Sequence, residues 1–221
     1  MFRARRYISY ANAATDYITL AEAKQHLRVT SSTDDSYITG LIAMAIESCS
    51  SYLGYSVRKA TARYGYDGFT GQPALINPVN GLTLPSGNYL RVNSRVLSVE
   101  EVYYTNASQV LTAFNASDWI DTASTNLLAS YSRNVFINTA PVSVTDDLIK
   151  YQVEVIEGFN PVGTTSVDPD TIFPMSIKHA ALLLVGQYYD NRMSVTIGVS
   201  NSPLNFGYTY LLDPYKITIT V

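Results

Sequence analysis

Cysteine is almost missing from this sequence. Cys49 stands alone, so no disulfide can form within the chain, and the protein suits assembly in a reducing compartment such as a cytoplasm. It falls at an apolar helical position, which makes it a buried structural thiol rather than a nucleophile. Histidine is nearly as scarce. His26 and His179 each lie on a predicted helix without a second ligand three or four residues on, so both read as surface or interface residues. Charged residues make up only 15% of the chain and hydrophobic ones 47%, a balance that excludes disorder and leaves a lone monomer short of solubilising charge. A net charge of −3 excludes nucleic-acid binding by overall electrostatics. The longest aliphatic run, "AALLLVG", is too short to cross a bilayer, and "YISYANAATDY" is too polar for a signal-peptide core. The expectation is a soluble protein with no membrane partner.

Catalytic signatures are missing too. No serine sits in a G-x-S-x-G elbow, and there is no P-loop, Rossmann glycine pattern or H-E-x-x-H. Asp34 and Asp35 read as charge at a helix N-terminus, Asp146 and Asp147 as a turn, and Glu100–Glu101 as a β-bulge. Asp168 and Asp170 in "DPD" are either loop residues or a weak cation site. The sequence therefore assigns no catalytic, cofactor-binding or metal residue, and the protein reads as a non-enzyme.

Tyrosine, by contrast, is abundant, at 18 residues. Tyrosine gives large contact area at low entropic cost and keeps a polar tip, so the excess fits either a protein interface or a β-rich domain. The one basic cluster, "RARR" (Arg3 to Arg6), is either a solvated tail or a contact to DNA phosphates or an acidic partner surface.

Along the chain, residues 1–18 read as an irregular arm. "TLAEAKQHLRV" carries a capping box, Thr19 with Glu22, and predicts a short helix ending near Arg28. In "DSYITGLIAMAIESCSSYLG", apolar residues recur at i, i+3, i+4 and i+7 from Tyr37 to Leu53, predicting a long helix stopped by Gly54. From Tyr55 to about Phe159 the helical period vanishes and short apolar strings alternate with turn residues. The clearest strand is "LIKYQVEVIEGF", with Ile149, Tyr151, Val153 and Val155 on one face. "FPMSIKHAALLLVGQYYDNR" predicts a second amphipathic helix, its buried face running from Ile177 to Tyr188 and packing on the 35–53 helix. "YTYLLDPYK" is a brief turn or helix, and "ITITV" closes the chain with strict alternation.

The fold class expected is α+β: a helical bundle from the N- and C-terminal helices, an inserted small antiparallel β domain or barrel, and extended terminal arms. The domains expected are an arm at 1–18, a helical domain from 19–54 and 173–192, a β insertion at 55–160, and a loop with a C-terminal docking arm at 193–221.

These residues resemble a known family. Leu20, Glu22, Ala23, Lys24, His26, Leu27, Arg28 and Val29, followed by an acidic turn and the long helix, resemble the N-terminal signature of phage head–tail connector proteins. Pro174, Ile177, Lys178, Ala180, Leu183, Tyr188, Asn191 and Arg192 are similar to the family's later helix, and "LLDPYK" to its C-terminal "L-L-x-P-Y-R" with Lys216 for the arginine. The proline pair expected within "NYLRVNSRVLSVEEVYYTN" is missing. The resemblance implies a head-completion adaptor in the virion neck, a ring of roughly twelve copies beneath the portal protein. It also implies a stopper or tail-completion protein on the other face, and a channel that DNA crosses without sequence-specific binding. Leu211, Leu212, Pro214, Tyr215, Lys216, Ile217, Ile219 and Val221 are then expected at the portal or a neighbour, and Lys24, Arg28, Tyr189, Asn191 and Arg192 between subunits. "ITITV" fits strand addition to a partner or pairing within its own β domain. Arg192 fits either a helix-end role or an intersubunit salt bridge. Two other readings stay open: a carbohydrate- or ligand-binding β module on a helical base, and a hydrolase whose acids meet only in the fold.

Overall fold

The computed structural model describes residues 2–72, 75–76, 83–84, 87–92, 95–121, 133–139, 144, 148–165, 172–191 and 205–216. They form two compact units, one of Met1–Ser9 with Ala60–Glu157 and one of Tyr10–Lys59 with Gly158–Val221.

The first unit is built of strands. β1 (Phe2–Tyr10), β2 (Ala60–Tyr66), β7 (Val96–Thr105), β8 (Leu111–Ala113) and β11 (Tyr151–Glu157) make a sheet in the order β1-β2-β11-β7-β8. β3 (Thr70–Gln72), β6 (Gly87–Val92), β9 (Trp119–Asp121) and β10 (Arg133–Ile137) make a second, ordered β3-β6-β10-β9, and β4 (Leu75–Ile76) pairs with β5 (Thr83–Leu84). The strict alternation of β11 decides its placement. Tyr151, Val153 and Val155 are buried while Gln152 and Glu154 are half-exposed, and β11 pairs antiparallel with β2 on one side and β7 on the other. Leu90, Val92, Val135 and Ile137 from the second sheet enter the same core as Ala62, Tyr64, Val102 and Val153 from the first. Of the two forms expected, an antiparallel β domain or a barrel, the barrel is not the one formed: among the described residues the two main sheets are open and share one core, with β1 and β8 as the edges of the larger. The bulge expected at Glu100–Glu101 is present. Glu154 faces Glu101 and Val155 faces Val99, so Glu100 is the extra residue.

A second difference concerns the N-terminus. Residues 2–10 are a regular edge strand, not an irregular arm, because their alternation turns Arg5 and Tyr7 toward Glu157. Glu157 is fully buried; its carboxylate accepts hydrogen bonds from Tyr7 Oη at 2.8 Å and from Tyr64 Oη, with Arg5 Nη1 3.7 Å away. Burial and then the Glu157 charge push both tyrosine hydroxyls well above their ordinary range. Burial is the largest single influence on Arg5 and works against its charge, but Glu157, Tyr64 and Tyr7 together outweigh it and raise the guanidinium further. Arg5 is thus part of an ion cluster rather than of a solvated tail.

The second unit is helical. α1 (Leu20–Leu27) starts as its sequence dictates, with Thr19 Oγ1 accepting from the Glu22 N–H and Glu22 Oε2 accepting from the Thr19 N–H. It ends at Arg28, which takes the left-handed conformation with φ 57°. α2 (Asp35–Leu53) ends at Gly54, φ 81°, where a side chain would be strained. Ile38, Leu41, Ile42, Ile46, Cys49 and Leu53 are buried along one stripe, each large aliphatic contributing roughly 1.5–3 kcal/mol. α3 (Met175–Asp190) meets that stripe with Ile177, Ala180, Ala181, Leu184 and Val185, as its spacing predicts, and α4 (Asn205–Leu212) packs on α3. Tyr17 pins the connecting segments: its hydroxyl donates to the Phe159 carbonyl and accepts from the Lys59 N–H, both at 2.8 Å. Several tyrosines (Tyr17, Tyr55, Tyr64, Tyr66 and Tyr89) are therefore core residues rather than surface ones. No helix among the described residues is long and apolar enough to cross a membrane.

Candidate interaction surface

The residues expected to meet other molecules gather at two places in the helical unit. The first is the junction of α1, α2 and α3. Lys24 lies on α1 and donates through Nζ to Asp35 Oδ1 at 2.6 Å, so its charge is used within the chain. Lys178 reaches from α3 to Glu22 Oε1 at 2.5 Å. Partial burial pushes the Glu22 carboxyl up, yet the Lys178 ammonium and the bonds from Thr19 outweigh it and hold Glu22 below its ordinary value of 4.5. Tyr189 donates through Oη to Asp34 Oδ2 at 2.7 Å, its ring 6.2 Å from that of Tyr37. Asn191 caps its own helix, Nδ2 donating to the Gln187 carbonyl at 3.0 Å. Arg28 projects from the end of α1 and is exposed. Arg192 lies outside the described residues.

The second place is the C-terminal end of α4. Leu212 is fully buried in the helical core, so its side chain anchors α4; Leu211 and Tyr215 are half-buried against that core. Pro214 and Lys216 are exposed. Asp213 Oδ1 accepts from the Tyr52 hydroxyl at 2.5 Å, and the Lys216 ammonium lies 4.5 Å over the Tyr52 ring. The bond to Asp213, with some desolvation, raises the Tyr52 hydroxyl. Tyr210, 76% exposed, is a large side chain that α4 offers to the outside. Ile217, Ile219 and Val221 lie outside the described residues, as do Asp168 and Asp170.

Sequence reasoning missed three contacts: Lys178–Glu22, Tyr52–Asp213 and the Glu157 cluster. Each joins residues at least 90 positions apart, which no local pattern signals. The bonds that hold these groups are those of a shape-setting framework. Among the described residues, no three His, Cys, Asp or Glu side chains gather to hold a metal ion.

Residues 17–109 match the family model of the phage gp6-like head–tail connector proteins. No curated protein matches the chain in sequence. Among solved structures, the chain is similar to one in the neck of an empty GTA particle computed with C6 symmetry: TM-score 0.64, 15% identity, covering 99% of this chain and 98% of the other. It is similar in the same coverage to chains of the native GTA neck computed with C12 symmetry (TM-score 0.62, 15% identity) and of the native gene transfer agent virion (0.58, 18%). Residues 17–109, then, are similar to the phage gp6-like head–tail connector family, and the chain shares the fold of those neck chains.

Proposed function

We propose that this protein is a structural adaptor of the virion neck, a ring of identical subunits beneath the portal that joins the DNA-filled head to the tail or to a stopper protein. The observation that carries this reading is a combination: a connector-family match over residues 17–109, and a likeness covering 99% of the chain to proteins of a particle neck. The neck structures computed with C6 and C12 symmetry support a cyclic assembly, and a subunit in such a ring needs two different faces that fit one another. Low charge and a chain end of alternating "ITITV" suit a surface covered by neighbours. The role is mechanical: it needs shape, repeated contacts and an open axis for the genome, and no reacting group.

Imaging of the purified chain mixed with the portal protein of the same genome tests the reading. Rings stacked on the portal are expected. A chain that stays monomeric and leaves the portal bare, or that appears in the capsid lattice or a tail fibre, overturns it.

A further inference from the structure

The two histidines stand side by side. His26 on α1 and His179 on α3 have ring centroids 6.3 Å apart in an edge-to-face arrangement, and both residues are exposed. His26 packs beside α3 at Gly186, where a Cβ would meet His26 Nε2 at 3.7 Å, an ordinary van der Waals contact. Among the described residues neither imidazole is engaged in a hydrogen bond, so both rings are free to turn. We propose that His26 and His179 form a two-imidazole chelate for a divalent transition ion of borderline softness, such as Zn²⁺.

Imidazole nitrogen suits zinc, nickel and copper better than calcium or magnesium, which take oxygen. At Zn–N distances of roughly 2.0–2.1 Å and a tetrahedral angle, two imidazole centroids stand roughly 5 Å apart. The observed 6.3 Å has to close by about 1 Å, which is within small side-chain rotations from two helices whose backbones stay packed. Among the described residues no third protein ligand converges, so water fills the remaining positions. The ion is thus held reversibly and differs from a structural zinc with four protein ligands. Once bound, it ties α1 to α3, reinforcing the nearby Lys178–Glu22 pair between the same helices. The inference is independent of the neck reading, since it rests on these two helices alone.

Titration of the full chain with ZnCl₂ by isothermal calorimetry tests it. One ion per chain is expected, with a rise in melting temperature that EDTA reverses. His26→Gln and His179→Gln should each weaken binding at least about tenfold while leaving the far-ultraviolet circular dichroism unchanged. Absence of binding up to about 1 mM ZnCl₂ overturns the proposal. So does binding that survives either substitution, or a stoichiometry of one ion to two chains, which would place the site between copies.

Discussion

The Tyr52 hydroxyl donates to Asp213 Oδ1 at 2.5 Å, and through that bond the end of α2 holds the turn that follows α4. Leu212 lies beneath it and the Lys216 ammonium above the Tyr52 ring, so the root of the C-terminal segment is fixed on the helical unit.

Removing the hydroxyl should loosen this root selectively. Tyr52→Phe is expected to speed amide exchange across Asn205–Lys216 while α2 keeps its protection. Unchanged exchange in that segment would show that the apolar contacts alone hold it.

Leu212 tests those contacts. Leu212→Ala leaves a cavity in a fully buried position and should cost about 2–5 kcal/mol, read from the shift of a urea midpoint. A loss below about 0.5 kcal/mol would mean that α4 is not part of the cooperative core.

Glu157 should matter as much to the β unit. Glu157→Ala leaves Arg5 without its counter-charge and both tyrosine hydroxyls without their acceptor, a loss of about 3 kcal/mol or more. Tyr7→Phe removes one donor from a half-buried site and should cost less; a reversed order, in denaturant unfolding of the two variants, would place the cluster's strength in Tyr7 instead.

Acid should act through Glu22. Its folded-state value lies below the ordinary 4.5, so the Lys178–Glu22 pair adds stability above pH 4.5 and loses it as the pH falls through the lower folded value. Lys178→Met should flatten the melting-temperature profile in that acid window. An equally steep fall in the variant would assign the effect to other carboxylates.

Cys49 offers a chemical clock for unfolding. Burial pushes its thiol up to about 12 and leaves it fully covered, so a thiol reagent at neutral pH should label it only at the rate of global opening. Fast labelling of the native protein would contradict the core described for α2.

The helices were legible in the residues because their determinants are local. The box of Thr19 and Glu22, the stripe from Ile38 to Leu53 and the stop at Gly54 all lie within a few turns of one another, so spacing alone fixes the buried face. The same holds for the period-two pattern of β11 and the extra residue at Glu100. β1 escaped notice because "RARRY" lacks apolar alternation; its inward positions are Arg5 and Tyr7, which belong there only because Glu157 waits far along the chain. That the β unit is two open sheets rather than a barrel was likewise decided by which strands end at an edge.

The candidate surface divides along the same line. The motifs marked Lys24, Tyr189 and Leu212 as important, but tertiary structure committed Lys24 to Asp35, Tyr189 to Asp34 and Leu212 to the core, while leaving Arg28 and Tyr210 outward. A sequence fixes what each short segment prefers, since backbone and neighbouring side chains compete over a few residues. Which charge meets which, and which face stays open, depends on contacts between distant segments that exist only once the core has closed.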